Sequence, residues 1–161
     1  MLLQGQAAIV TGGASGRVGA TAQAPASAGA KVAVIDLNAA AAQEMAARIG
    51  GIAIACDVAD AEAAERAVAT AHAAHGPARV LVNCAGVGTP GRIVGRDGPL
   101  PLSAFERVIR VNLIGTFNML RLVAAEMTVA PPLDDGERGV IVNTASVAAY
   151  DGQIGQAAYG S

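Results

Sequence analysis

The sequence predicts an α/β fold: a doubly wound parallel sheet with helices on both faces. Three observations predict it. Strand-like and helix-like segments alternate along the chain, which is the pattern of successive βαβ units. The strand-like runs are apolar on both faces instead of alternating, as strands sandwiched between helix layers are. The chain has 161 residues, 53% of them hydrophobic and only 2% aromatic. That length fits one domain with a sizeable core, and the composition calls for thin helices on aliphatic strands.

The elements follow in order. Ala7 to Thr11 is an aliphatic run that breaks at Gly12-Gly13, and Gly16 to Ala28 is Ala-rich and reads as a helix. Lys31 to Asp36 is the second strand, and Ala39 to Ile49 is the second helix, closed by Gly50-Gly51. Ile52 to Cys56 is the third strand. Asp60 caps a helix running to His75, which Gly76-Pro77 stops. Arg79 to Asn83 is the fourth strand, and Val87 to Pro101, rich in Gly and Pro, reads as an irregular surface loop. Ser103 and Glu106 have capping-box spacing and open a long helix to about Val129. Pro131 to Gly139 is a polar turn, and Val140 to Ala145 is the fifth strand. No repeat or second domain is evident.

Composition narrows the function. Charged residues make up 15%, the net charge is −2 and no basic run occurs, which argues against nucleic acid or an anionic membrane as partner. Met1 to Val10 lacks the features of a signal peptide, and no uninterrupted apolar run reaches transmembrane length. Cys56 and Cys84 sit in separate apolar runs and are expected to be two reduced, buried thiols of a cytoplasmic protein. No metal site is expected. His72 and His75, near a helix C-terminus, and Asp134-Asp135, in the polar turn, are expected to be solvated and to take no part in catalysis.

The stretch Thr11-Gly12-Gly13-Ala14-Ser15-Gly16 lies in a strand-to-helix turn. Glycines there let the backbone approach a pyrophosphate, and the helix N-terminus supplies free N–H groups. The alternative is a tight structural turn. Asp36 follows Gly16 by twenty residues, at the end of the second strand. Either it accepts both ribose hydroxyls of NAD and repels the 2′-phosphate of NADP, or it caps the helix that follows. Leu37 and Asn38 come next; with no basic residue there, NAD is the expected cofactor.

Further motifs occur in order along the whole chain: Cys56-Asp57-Val58, Asn83-Cys84-Ala85-Gly86, Val111-Asn112-Leu113, and Ser146 thirteen residues before Tyr159. Together with the Gly turn they resemble the short-chain dehydrogenase/reductase family. That resemblance implies a Rossmann-type αβα sandwich with NAD held by Gly12, Ser15, Gly16, Arg17, Asp36, Asp57, Val58, Asn83, Cys84, Ala85, Gly86 and Tyr159. It implies Tyr159 as general acid/base, Ser146 as the donor to the substrate oxygen, and Asn112 as the third member of the catalytic set. On its own spacing, Asn112 falls on the helix face that should be buried, and a hydrogen-bonded structural amide is the alternative. Asn143 to Tyr150, Gly115 to Asn118, the Gly152-Gln153 and Gly155-Gln156 pairs and the loop Val87 to Pro101 resemble, within that family, its 3-hydroxyacyl-CoA dehydrogenases. This implies an acyl-CoA or other secondary-alcohol substrate bound by Ser146, Gln153 and Gln156, and a homotetramer. A solvated loop is the alternative for the two glutamines.

Three features depart from the family pattern. Val18 stands where the cofactor turn has a further Gly, which weakens NAD binding unless Arg17 offsets it at the pyrophosphate. Pro25 lies inside the first helix, at a cost of roughly 3 kcal/mol unless the helix adapts. The family's Lys, four residues after the Tyr, falls at position 163, beyond Ser161. The resemblance implies that the family's C-terminal third lies outside this sequence. The fifth strand is then an unpaired edge, and a 161-residue product is expected to be marginal and short of tetramer interface.

Overall fold

The computed structural model describes residues 1–14 and 19–161. Its centre is a five-stranded parallel sheet built from β1 (Ala7–Thr11), β2 (Lys31–Asp36), β3 (Ile52–Ala55), β4 (Ala78–Asn83) and, after a two-stranded hairpin, β7 (Val140–Asn143). The spatial order is β3-β2-β1-β4-β7. The order reverses at β1, so the first strand lies between β2 and β4. Ala7 pairs with Lys31 on one side, and Ile9 with Leu81 on the other. The doubly wound parallel sheet expected from the alternation is the observed one.

Both faces of the sheet are covered. Ile9, Ala33, Ile35 and Leu81 point to one side and pack with α3 (Ala61–His75) and α5 (Thr116–Val129). Ala8, Val10, Val32, Val34 and Val80 point to the other and meet α1 (Gly19–Ser27) and α2 (Ala39–Ile49). Neighbouring residues of one strand thus serve opposite cores, which is why these strands read as unbroken apolar runs. Ile9, Val10, Val34, Ile35 and Leu81 are 0–2% exposed, and each such side chain contributes roughly 1.5–3 kcal/mol of transfer free energy.

Several local expectations hold. Gly50 ends α2 at φ 66°, while its N-cap is Asn38, a residue not singled out for it, which accepts from the Ala41 N–H. Asp60 caps α3 through the Ala63 N–H. Pro25 lies in α1 as a buried residue two positions from its end, and its carbonyl accepts from the Ala28 and Ala30 N–H groups. The helix ends so soon after Pro25 that little of it is left to kink.

Other expectations need correction. The capping box at Ser103 and Glu106 does not form: the helix α4 (Leu102–Ile109) begins one residue earlier, with Pro101 at its N-cap and no side-chain cap bond. Ser103 is thereby inside the helix, past the position from which a hydroxyl reaches the free N–H groups. The long helix is also not uniform. A π-helical segment, Arg110–Gly115, separates α4 from α5. The loop 87–101 contains a short antiparallel hairpin, β5 (Val94–Gly95) with β6 (Gly98–Pro99). Cys84 is half-buried, not buried as expected, whereas Cys56 is 6% exposed. The span Leu102–Val129 is long and apolar enough by length and composition to cross a bilayer, with mean hydropathy 1.3 over its best window. Charged Arg107, Arg110, Arg121 and Glu126 interrupt it, and its Met119, Val123 and Met127 are buried with the core that includes Ile9 and Leu81.

Candidate active site

The C-terminal ends of β1, β2 and β4 meet at the strand-order reversal, where doubly wound sheets hold their ligands. Gly12 turns the chain there at φ 65°, and a Cβ on it would lie 2.6 Å from the Ala85 Cα. Only glycine fits: both the dihedral and the space exclude a side chain. Asp36 stands at the end of β2. Its Oδ2 accepts from the Ala14 N–H at 3.2 Å and its Oδ1 from the Asn38 N–H at 2.9 Å. The cap of α2 is therefore Asn38, and Asp36 instead braces the glycine turn. Leu37 beside it is 76% exposed. Ser15, Gly16, Arg17 and Val18 lie outside the described residues.

Asn83, Cys84, Ala85 and Gly86 leave β4 against this turn. Thr11 Oγ1 accepts from the Cys84 and Ala85 N–H groups at 3.2 and 3.3 Å. Buried Asn83 donates through Nδ2 to Asn143 Oδ1 at 3.0 Å, so β7 is tied to the same cluster. Asp57 holds its own turn by accepting from the Ala59 N–H at 2.9 Å. The Val58 side chain is 5% exposed and belongs to the core, while Asp57 is half-buried.

Sequence reading missed what fixes that turn. Asn118, 6% exposed, donates to the Val58 carbonyl at 2.8 Å and the Asp60 carbonyl at 3.3 Å, while its Oδ1 accepts from Arg121 Nε at 2.9 Å. Gly115, one turn earlier, lets α5 approach: a Cβ there would lie 2.6 Å from Val58 Cγ2. The signal was a polar amide on the apolar face of a helix, the same signal that singled out Asn112.

Asn112 sits half-buried within the π-helical segment. Its Oδ1 accepts from the Val87 N–H at 2.8 Å, and its Nδ2 donates to the Val87 carbonyl at 3.0 Å. This two-point grip fixes the start of the loop 87–101. One residue on, Gly88 lies against the Tyr159 ring: a Cβ on Gly88 would be 3.7 Å from the ring carbon Cδ2. Tyr159 is 38% exposed and lies in a turn. Ser146 follows β7, and its Oγ accepts from the Ala148 N–H at 3.2 Å, so its own proton remains for another acceptor. Gly160 packs on the Ala148 carbonyl, 2.9 Å from where its Cβ would be. The serine turn and the tyrosine turn are thus neighbours.

A cleft of about 600 Å³ opens between the loop 87–101 and the segment 152–161. Gln153 and Gln156 line it, with Ile93, Val94 and Ile154. The two walls are joined by the Gly91 N–H, which donates to the Gly155 carbonyl at 2.7 Å, and by a parallel bridge between Gly91 and Gln156. Gln156 Oε1 is buried without a hydrogen-bond partner among the described residues, whereas Gln153 is exposed. The single lysine of the sequence, Lys31, opens β2 at the far end of the sheet from Tyr159. His72, half exposed, pairs its Nδ1 with Glu126 Oε1 at 3.0 Å, away from this site. Among the described residues no cluster of His, Cys, Asp or Glu is arranged to hold a metal ion.

The Gly12 turn, the braced acidic residue at the end of β2, and the serine and tyrosine turns beyond β7 all lie past the C-terminal ends of the strands of one doubly wound sheet. The chain belongs to the short-chain dehydrogenase family, whose profile matches residues 6–161. Among its relatives, 3-hydroxyacyl-CoA dehydrogenase type-2 of Drosophila melanogaster is 43% identical over 98% of this chain and 64% of its own length. The Homo sapiens protein of the same name is 41% identical over 98% of this chain and 62% of its length. Among solved structures, 3-hydroxyacyl-CoA dehydrogenase type-2 from Mycobacterium avium superimposes with TM-score 0.89 at 39% identity, covering 97% of this chain and 63% of that one. The 3-ketoacyl-(acyl-carrier-protein) reductase from Brucella melitensis, complexed with NADH, superimposes with TM-score 0.88 at 30% identity, covering 98% and 64%. The chain therefore spans less than two thirds of the length of these relatives.

Proposed function

We propose that this chain serves the NAD-linked interconversion of a 3-hydroxyacyl-CoA and its 3-ketoacyl-CoA. The observation that carries the reading is the Gly12 turn, which has room only for backbone and is braced by Asp36 at the strand-order reversal, together with serine and tyrosine turns that adjoin where Gly160 packs on the Ala148 carbonyl. The residues fit a nicotinamide dinucleotide. The Gly12 cradle is a space a Cβ would fill, and Asp36 places a carboxylate beside it with no basic neighbour, which favours NAD over NADP. When bound, the nicotinamide supplies hydride chemistry. Gly12, Asp36, Asp57 and the residues Asn83 to Gly86 hold it, with Ser15, Gly16 and Arg17 of the turn assigned by motif alone.

The chain's own groups orient the substrate and move a proton. Ser146 donates its hydroxyl proton in a hydrogen bond to the substrate oxygen, where charge develops. Tyr159 gives or takes the proton on that oxygen. Gln153 and Gln156 offer amides to the acyl thioester, and Ile93, Val94 and Ile154 offer an apolar wall to the acyl chain. The relatives named for 3-hydroxyacyl-CoA support this substrate class, and the family supports assembly as a homo-oligomer.

A second reading concerns residues 1–161 by themselves, whose one lysine, Lys31, opens β2 at the opposite end of the sheet from Tyr159. In that reading the chain holds NAD without turnover. NADH oxidation with acetoacetyl-CoA, measured beside NADH fluorescence, decides between them. Oxidation lost in Tyr159→Phe is expected on the first reading. Enhanced fluorescence without oxidation selects the second, and oxidation unaffected in Tyr159→Phe overturns the tyrosine assignment.

A further inference from the structure

The geometry points to Asn143 as a positioning residue that couples the serine-bearing end of β7 to the cofactor turn. Backbone N–H groups can only donate. Those of Cys84 and Ala85 both meet Thr11 Oγ1, at 3.2 and 3.3 Å. The Thr11 hydroxyl therefore directs its own proton to the remaining polar neighbour, Asn83 Oδ1, at 3.4 Å. That makes Oδ1 the acceptor end of buried Asn83, and its Nδ2 the donor to Asn143 Oδ1 at 3.0 Å. The chain of bonds has one direction, set at the cofactor turn and delivered to β7.

Its endpoint matters because of where β7 lies. β7 pairs with β4 on one side and is the edge of the sheet among the described residues. Its end is tied to β4 by bonds: Asn143 Oδ1 accepts from Asn83 Nδ2, the Thr144 N–H donates to the Asn83 carbonyl at 3.0 Å, and Thr144 Oγ1 donates to Cys84 Sγ at 3.3 Å. Ser146 follows two residues later. Asn83 is the joint shared by both ends, since its other partner, Thr11, immediately precedes Gly12 of the cofactor turn. Hydride transfer tolerates only small errors in the relative placement of substrate and cofactor. Through Asn83, the Thr11 and Asn143 side chains set that placement. The inference rests on reading Ser146 as the donor to the substrate oxygen.

The test compares Asn143→Leu, Asn143→Asp, Thr11→Val and the double variant in the full chain, with Ser146→Ala as reference. With NADH and acetoacetyl-CoA, Asn143→Leu is expected to lower kcat about tenfold while KM for NADH stays within about twofold. Asn143→Asp, which keeps an acceptor oxygen for Asn83 Nδ2, is expected to recover most of that loss. The double variant is expected to lose less than the product of the single losses, because both changes cut one chain. An unchanged kcat in Asn143→Leu, an Asp variant no better than Leu, or losses that multiply overturns the coupling. Should Asn143→Leu not fold, Asn143→Ser, whose hydroxyl is too short to reach Asn83, carries the same expectation. Full activity in Ser146→Ala sinks the functional reading alone. Hydrogen exchange reads the coupling without turnover: Thr11→Val is expected to speed exchange of the Thr144 amide about tenfold, and an unchanged rate overturns the proposal.

Discussion

The cofactor end and the catalytic end of this site are built differently. The glycine turn grows from β1, the central strand, whose five residues are all buried and paired on both sides. The serine and tyrosine turns follow β7, which pairs with β4 and is tied to it through Asn143 and Thr144. At the first end, close packing fixes backbone shape before any ligand arrives. At the second, hydrogen bonds from β4 and from Asn112 do the fixing. Substitutions at the first end should therefore cost stability, and those at the second should cost activity with the fold intact.

The largest expected effect is at Gly12. Valine there meets an unfavourable dihedral at φ 65° and the Ala85 backbone at 2.6 Å. The dihedral costs roughly 1–2 kcal/mol and the overlap roughly 1–3. Gly12→Val is expected to abolish NADH binding and lower stability by about 4 kcal/mol in chemical denaturation. Tyr159→Phe, by contrast, is expected to leave stability nearly unchanged. A Gly12→Val protein as stable as its parent would break the comparison.

A smaller effect is expected at Asn118, which sits at the first end but works by hydrogen bonds. Leucine there removes three bonds and leaves the Val58 carbonyl and the Arg121 guanidinium each short of a partner. A buried group left unpaired costs roughly 1–3 kcal/mol, so Asn118→Leu is expected to cost about 2 kcal/mol. Because the Asp57-Val58 turn then loses its anchor, NADH affinity should fall with it. Unchanged affinity at lowered stability would make Asn118 a packing residue only.

What the sequence disclosed follows the same division. The doubly wound parallel sheet was legible because unbroken apolar runs alternating with helices read as strands buried on both faces. The tight turn at Gly12 was legible because a strand-to-helix turn imposes its residue types locally, whereas the brace that Asp36 gives to the Ala14 N–H was not among the roles read for it. The π-helical segment was not, since nothing in Arg110 to Gly115 breaks a helical pattern; the shift is bound up with the Asn112 grip on Val87, twenty-five residues away. The capping box failed because one extra residue, Leu102, joined the helix ahead of Ser103. Asn118 went unread because its partners, the Val58 and Asp60 carbonyls, are contacts that only the folded chain defines.

The smallest expected effect separates the two cysteines. Cys56 is 6% exposed at the end of β3, in the closely packed half, and Cys84 is half-buried where β4 hands over to β7. Burial, then the nearby Asp57 and Asp60 carboxylates, push the Cys56 thiol up from 9.0 to about 11. A folded pKa above the unfolded one means that the folded state favours the protonated thiol. Its contribution to stability is whole below about pH 9 and is lost as pH rises toward about 11. Denaturation at pH 8 and pH 10.5 should therefore show a steeper alkaline loss in the parent than in Cys56→Ala. The Met1 ammonium, raised to about 10 chiefly by Asp135 and then Glu137, titrates in the same window. It does so in both proteins and cancels from the difference. Iodoacetamide at pH 8.5 should label Cys84 well before Cys56. Equal alkaline slopes, or Cys56 labelled first, would mean that β3 opens as readily as β7 and that the division between the two halves is wrong.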